Sequence, residues 1–142
     1  MTREALVALA REAMDHAYVP YSNFRVGAAL LTRDGKVYQG CNIENAAYGP
    51  TNCAERTAFF KAIYDGERDF AAIAIVGGLE GELRGFAAPC GVCRQVMREF
   101  CGEDFLVHLF NGTEYRTCTL GELLPLGFTA ADMAPARGKL SK

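Results

Sequence analysis

The sequence predicts an α/β protein with three layers, α/β/α, in which helices cover both faces of a mixed five-stranded sheet. Two observations support this fold class. Segments with the apolar spacing of helices alternate with short apolar runs typical of strands, in the order α, β, β, α, β, α, β, β. In addition, 50% of the 142 residues are hydrophobic and 23% are charged, so a packed core is expected and disorder is not. We expect residues 1–142 to form a single domain.

The N-terminal part of the chain predicts one helix followed by a β-hairpin. Apolar residues recur on one helical face from about residue 4 to residue 18, and Pro20 ends this pattern. Residues 24–31 and 37–41 are candidate strands. The dipeptide Asp34-Gly35 between them is a strong signal for a tight turn, so the two strands should pair with each other.

A loop and a second helix are predicted next. Residues 42–52 contain Asn, Gly and Pro, a composition typical of a loop that carries function. The second helix should run over residues 53–64, with Thr51 or Asn52 as its N-cap. The remaining elements are predicted as follows: strands over 70–76, 105–110 and 115–118, a helix over 90–100, and a short helix over 120–124.

Two cysteine motifs fall at the starts of the second and third predicted helices. They are Cys53-Ala54-Glu55 and Pro89-Cys90-Gly91-Val92-Cys93. A helix N-terminus favours thiolate over thiol, and catalytic zinc typically binds three protein ligands and a water molecule. A carboxylate two residues after the first cysteine can move the proton of that water. The sequence therefore predicts a Zn²⁺ site formed by Cys53, Cys90 and Cys93, with Glu55 as the catalytic acid and base.

Other interpretations of these residues remain open. The Cys-x-x-Cys pair is also compatible with a redox pair or with half of a closed, four-ligand structural zinc site. Cys101 lies roughly 12 Å further along the same predicted helix, too far to be the fourth ligand. Cys41, Cys101 and Cys118 are therefore interpreted as core or surface thiols. Glu55 also has a simpler explanation, because acidic residues are common in the first turn of a helix.

A site with three thiolates and one Zn²⁺ carries a net charge of −1, which weakens the metal as a Lewis acid. Two arginines are near enough in sequence to withdraw charge from the sulfur atoms: Arg56 follows Cys53 by three residues, and Arg94 follows Cys93 directly. Our hypothesis is that Arg56 is the main compensating residue. The alternative is an ordinary arginine on a helix surface.

With these residues in place, the chain resembles the small zinc-dependent cytidine deaminases over nearly its whole length. Zinc deaminases combine three cysteines, or a histidine and two cysteines, with a glutamate that is not a ligand and with a Pro-Cys-x-x-Cys signature. Five blocks occur in the order of that family: Phe24-Arg25-Val26-Gly27-Ala28-Ala29, Asn42-Ile43-Glu44-Asn45-Ala46-Ala47-Tyr48, Cys53-Ala54-Glu55-Arg56-Thr57-Ala58, Pro89-Cys90-Gly91-Val92-Cys93-Arg94-Gln95, and Glu122-Leu123-Leu124-Pro125.

The resemblance implies one Zn²⁺ per chain and assigns residues to the substrate. Asn42 and Glu44 would hydrogen-bond the ribose 3′-hydroxyl, Phe24 would pack on the pyrimidine, and the backbone near Cys53 and Ala54 would bind the amide edge of the base. Asn42 and Glu44 alternate on one side of an extended segment, so both can face a sugar. Phe24 also fits a core position of its strand.

The resemblance further implies a homotetramer whose active sites are shared between subunits. Ala46 and Tyr48 would come from an adjacent subunit, and Phe128 from another. The family's three-layer fold agrees with the fold class predicted above.

The implied reaction is the hydrolytic deamination of cytidine and 2′-deoxycytidine to uridine and 2′-deoxyuridine, with release of ammonia, as in pyrimidine salvage. The alternatives are a deaminase of another aminopyrimidine nucleoside and a non-catalytic structural zinc module.

The overall charge and the hydropathy pattern indicate which classes of partner and which cellular location to expect. A net charge of −2 argues against a nucleic-acid partner. The basic residues among 137–142 are expected to form a solvated terminus. No apolar run approaches the ~20 residues that a membrane helix needs. Because the N-terminus also lacks the pattern of a signal peptide, and six cysteines in a chain of this type favour free thiols or metal ligands, we expect a cytoplasmic protein.

Overall fold

The computed structural model describes residues 1–137, and apart from Arg137 the basic tail lies outside the described residues. The sheet has five strands in the order β2-β1-β3-β4-β5, with β3 and β4 parallel and the other neighbours antiparallel. The predicted mixed five-stranded sheet is confirmed. The elements are α1 (Arg3–Met14), β1 (Phe24–Thr32), β2 (Val37–Cys41), α2 (Ala54–Tyr64), β3 (Phe70–Leu79), α3 (Gly91–Phe100), β4 (Leu106–Phe110), β5 (Tyr115–Thr119), α4 (Leu120–Leu123) and α5 (Ala130–Arg137).

The three layers follow from the alternation of side chains along the buried strand β3. Ile73 and Ile75 face the core beneath α2 and α3, whereas Ala72, Ala74 and Val76 face the core beneath α1. Because both faces of β3 are covered by helices, its sequence is a continuous apolar run and not an alternating one.

The start of α2 lies unusually close to the sheet. A Cβ atom at Gly40 in β2 would stand 2.4 Å from the carbonyl oxygen of Ala54, so only glycine allows this approach. The close contact holds the N-terminus of α2, which carries Cys53 and Glu55, against the edge of the sheet.

Helix α1 ends at Met14, four residues earlier than predicted. His16 and Ala17 donate to the carbonyls three residues back, which tightens the chain into a turn. Tyr18 then pairs with the loop after β2: its N–H donates to Asn42 O at 3.0 Å, and its carbonyl accepts from Glu44 N at 2.8 Å. Because of this long-range pairing, the backbone at Tyr18 is extended, although the local apolar pattern predicts a helix there.

Other features also differ from the prediction. The N-cap of α2 is Cys53, so the prediction of Thr51 or Asn52 was wrong. Strand β3 continues to Leu79 because Phe24 of β1 pairs with that residue. Helix α5 was not predicted. Within residues 1–137, no helix is long and apolar enough to cross a lipid bilayer.

Candidate active site

Three cysteine sulfur atoms converge where the N-termini of α2 and α3 meet. The Sγ atoms of Cys53, Cys90 and Cys93 all lie within 4.8 Å of one another, with Cys53 3.8 Å from Cys90 and Cys90 3.4 Å from Cys93. Cys53 and Cys90 are the N-caps of the two helices, and Cys93 lies in the first turn of α3. Three soft sulfur donors at this spacing fit a single zinc ion.

The surroundings of Cys53 favour negative charge on its sulfur. The hydrogen bond from Cys93, together with the guanidinium group of Arg56, lowers the pKa of the Cys53 thiol to about 5. The pKa of the Cys93 thiol is raised, first by the same hydrogen bond with Cys53 and then by burial. The negative charges of Glu55 and Cys53 raise it further. A divalent cation would stabilise all three as thiolates.

The two arginines near the cysteines contact different groups. Arg56 Nη2 donates to Cys53 Sγ at 3.3 Å. Arg94 instead contacts backbone carbonyls: its Nε donates to Pro89 O at 2.7 Å and its Nη1 to Leu123 O at 2.6 Å. Of the two arginines considered from the sequence, Arg56 is thus the one whose guanidinium group contacts a sulfur atom.

Glu55 is a buried carboxyl group in the first turn of α2. Its side chain is only 4% exposed, and burial is the main reason that its pKa rises to about 7. The negative charge of Cys53 raises the pKa further, whereas hydrogen bonding to the backbone opposes the rise. A carboxyl group with a pKa near neutrality can accept and release a proton at the pH of the cell.

Glu55, Cys53 and Cys90 line a cavity of about 430 Å³, a volume suited to a small molecule, whereas Cys93 is buried beside them. Phe24 forms part of its wall with the ring 41% exposed, although its strand would allow a core position. The lining residues are Phe24, Val26, Asn42, Thr51, Asn52, Cys53, Ala54, Glu55, Phe86, Ala87, Ala88 and Cys90.

Asn42 lies in the wall of this cavity, where its amide joins two residues of β1. Its Oδ1 accepts from Val26 N at 2.9 Å, and its Nδ2 donates to Phe24 O at 2.8 Å. Glu44 lies in a second cavity, of about 300 Å³, beside Tyr48. Thr51 lines both cavities, so they adjoin. The two predicted sugar-binding residues therefore occupy neighbouring cavities within one chain.

The three residues predicted to act across subunits are exposed. Tyr48 is 73% exposed and Phe128 57% exposed, and Ala46 also lies at the surface. The ring of Tyr48 packs edge-on against Tyr21, with centroids 6.2 Å apart. Phe128 is attached to α3 through its carbonyl, which accepts from Gln95 Nε2 at 2.9 Å.

Some residues that line the site were missed by sequence reasoning. Phe86, Ala87 and Ala88 come from the segment between the predicted strand 70–76 and the predicted helix 90–100, to which no role was assigned, yet they line the larger cavity. The guanidinium group of Arg116 in β5 lies 4.5 Å from the centre of the Phe86 ring and helps to hold it in place. A phenylalanine within a Gly-flanked loop is the only local signal for this wall.

The other cysteines lie apart from the three-sulfur group, as predicted. Cys101 is the C-cap of α3, and burial raises the pKa of its thiol to about 12. Cys41 and Cys118 are free thiols in β2 and β5.

Comparison with known proteins shows close similarity over most of the chain. The model of a family described as the cytidine and deoxycytidylate deaminase zinc-binding region matches residues 1–109. A cytidine deaminase of Sporosarcina psychrophila is 51% identical over 137 residues, which cover 96% of this chain and 98% of that protein. One from Halalkalibacterium halodurans is 53% identical over 134 residues, covering 94% and 98%. The crystal structure of a cytidine deaminase from Burkholderia pseudomallei, 53% identical, superimposes with a TM-score of 0.84 over 90% of this chain and 100% of that chain.

Proposed function

The chain belongs to the family of zinc-binding cytidine and deoxycytidylate deaminases, and from this premise we propose that it hydrolyses cytidine and 2′-deoxycytidine. Water and the nucleoside give ammonia and uridine or 2′-deoxyuridine, a reaction of pyrimidine salvage. The observation that carries the proposal is a cluster of three cysteine sulfurs beside a buried glutamate, with Glu55, Cys53 and Cys90 lining a cavity that Phe24 also lines. The family and the zinc cofactor predicted from the sequence are confirmed.

Cys53, Cys90 and Cys93 hold the zinc ion in this proposal. Three protein donors are the number typical of a catalytic zinc site, whereas structural sites use four. When bound, zinc activates a water molecule by lowering its pKa toward ~7. Arg56 withdraws charge from Cys53 through its contact of 3.3 Å.

Glu55 moves the protons of the reaction. It accepts a proton from the attacking water and delivers it to N3 of the base, which makes C4 more electrophilic. The water oxygen bonds to C4, and Glu55 then carries the second proton, from the hydroxyl now on C4, to the 4-amino group. The C4–N bond breaks, ammonia leaves, and the oxygen remains as the 4-carbonyl of the product. Both steps need a carboxyl group that is ionised part of the time, and a pKa of about 7 meets that need.

The cavity residues bind and orient the nucleoside. Phe24 packs on the face of the pyrimidine, and the free N–H groups at the start of α2, near Cys53 and Ala54, bind its amide edge. Asn42 and Glu44 bind the 3′-hydroxyl of the sugar, in keeping with the adjoining position of their two cavities.

We also propose a cytoplasmic homotetramer with shared sites. A reducing compartment keeps cysteines as thiols and so favours thiolate ligands over disulfides. The exposed side chains of Tyr48 and Phe128, with Ala46, are available to complete the cavities of neighbouring subunits.

Sedimentation should give four times the mass of one chain. Mixed oligomers of Glu55→Gln and Phe128→Ala chains should recover activity if sites are shared, and recovery of none would contradict the sharing.

The first test of the function is a spectrophotometric assay of the zinc-loaded protein with cytidine, 2′-deoxycytidine and cytosine. Turnover of both nucleosides, absent in Glu55→Gln, would support the proposal. If zinc is bound and the fold intact but neither nucleoside reacts, the protein acts on a different aminopyrimidine or is a structural zinc module.

A further inference from the structure

The segment between α1 and β1 surrounds the carboxylate of Glu44. The backbone N–H groups of Tyr21 and Ser22 donate to its Oε1 at 3.0 and 3.1 Å, and the Ser22 hydroxyl donates to its Oε2 at 2.5 Å. The Ser22 hydroxyl is first among the groups that lower the pKa of Glu44, so the carboxylate is ionised and acts only as an acceptor.

The same hydroxyl also holds the start of β1. Ser22 Oγ accepts the N–H of Phe24 at 3.0 Å, and the carbonyl of Phe24 accepts from Asn42 Nδ2 at 2.8 Å. Hydrogen bonds therefore run without a break from Glu44 through Ser22 and Phe24 to Asn42. They join the cavity that contains Glu44 to the cavity that contains Glu55.

The turn that carries Ser22 is itself held in a defined conformation. Asn23 has a φ of 56°, in the left-handed region that residues other than glycine rarely adopt. Its N–H donates to Val19 O at 3.0 Å, and its carbonyl accepts from Glu80 N at 2.8 Å. The position of Ser22 is thus set by the surrounding backbone.

Counting acceptor positions shows what remains for a ligand. A carboxylate offers about four lone-pair positions, two on each oxygen. Two backbone N–H groups occupy Oε1 of Glu44, and Ser22 occupies one position on Oε2. Within residues 1–137, no group donates to the remaining acceptor position on Oε2, and the three contacts hold the carboxylate that carries it.

We propose that Ser22 is a positioning residue that directs the free Oε2 of Glu44 at the substrate's 3′-hydroxyl and holds it in register with the Phe24 ring. The inference rests on the proposed function. Ser22 then sets the preference of the enzyme for nucleosides that carry a 3′-hydroxyl.

The test compares 2′-deoxycytidine with 2′,3′-dideoxycytidine, which differ only in the 3′-hydroxyl. In the intact zinc-loaded protein, Ser22→Ala should lower kcat/KM for 2′-deoxycytidine roughly tenfold, chiefly through KM, because a hydrogen bond to a charged group loses its alignment. The value for 2′,3′-dideoxycytidine should change much less, so the preference between the two substrates falls. Ser22→Thr retains a hydroxyl and should restore the preference.

Thr32 provides a matched control at the other end of β1. Its hydroxyl also accepts a backbone N–H, from Lys36 at 2.9 Å, and donates to a carboxylate, Asp34 at 2.5 Å. Thr32→Val removes this pair while keeping the side-chain shape, and it should leave the preference at the wild-type value. Ser22 is exposed, so its replacement creates no cavity.

Two results would overturn the proposal. An equal loss of kcat/KM for both substrates in Ser22→Ala would reduce Ser22 to a general structural role, and wild-type kcat/KM values for both substrates would remove the role altogether. Both differ from failure of the proposed function, in which the wild-type protein deaminates no nucleoside; that result would refute this inference as well.

Discussion

The N-termini of α2 and α3 have similar sequences but contribute differently to the site. Each has a cysteine at its N-cap and an arginine in its first turns. At α2, Arg56 contacts the sulfur of Cys53. At α3, the Cys90 sulfur accepts the N–H of Cys93 at 3.4 Å, and Arg94 points away from the sulfurs to two carbonyls.

The two motifs differ in which groups surround their sulfur atoms. The α2 terminus contains the buried acid Glu55 and Arg56, whose guanidinium group contacts the Cys53 sulfur. The α3 terminus contributes two sulfur atoms and ties them through Arg94 to the segments before and after the helix. A shared sequence pattern thus does not imply a shared role, because the direction of the side chains decides it.

The largest effect should come from removing the contribution of α3 to the metal. Cys93→Ala leaves two sulfur donors, so zinc binding and deaminase activity should both fall to background. Metal content per chain measures this directly. Cys101→Ala changes a cysteine at the other end of the same helix and should retain zinc. Full zinc occupancy in Cys93→Ala would contradict the ligand assignment.

The next largest effect concerns the chemistry of α2 alone. Glu55→Gln keeps the shape of the side chain but cannot carry a proton, so kcat should fall by about 10²- to 10⁴-fold while zinc stays bound. Glu122→Gln provides a control, since Glu122 lies in the first turn of α4 within a capping box and should tolerate the change. Retained kcat in Glu55→Gln would remove the proposed role.

Replacing each of the two arginines should show most clearly how the N-termini of α2 and α3 differ in their effect on activity. Arg56→Gln is expected to lower kcat roughly tenfold, because the sulfur charge is no longer compensated and the metal becomes a weaker Lewis acid. Arg94→Gln should leave kcat near the wild-type value. Zinc content and kcat that both stay unchanged in Arg56→Gln would refute the compensation.

The smallest effect should be on stability and should appear at α3. Arg94→Gln loses the hydrogen bonds that the charged guanidinium group donates to two carbonyls. This loss should lower the free energy of unfolding by about 1.5–3 kcal/mol. We expect the melting midpoint to fall by several degrees, measured by thermal denaturation of the zinc-loaded protein. If the melting midpoint fell further in Arg56→Gln than in Arg94→Gln, the arginine of α2 and not that of α3 would contribute more to stability, contrary to this prediction.

The elements predicted best depend on local patterns. The hairpin of β1 and β2 follows from Asp34-Gly35, and Gly35 indeed adopts a φ of 96° that suits a tight turn. The helices that carry the cysteine motifs were also predicted, to within one residue at their starts. The end of α1 could not be predicted, because the pairing of Tyr18 with the loop after β2 outweighs a local helical preference.

Residue type, spacing and helix position were enough to predict the fold class, the three cysteines that meet at one point and the glutamate beside them. Only the tertiary structure decided which arginine contacts a sulfur, that Phe86 lines the cavity, and that Ser22 holds Glu44. The physical reason is that a long or polar side chain has several possible partners at similar sequence distance. Which partner it contacts depends on segments that are brought together only when the sheet and helices pack.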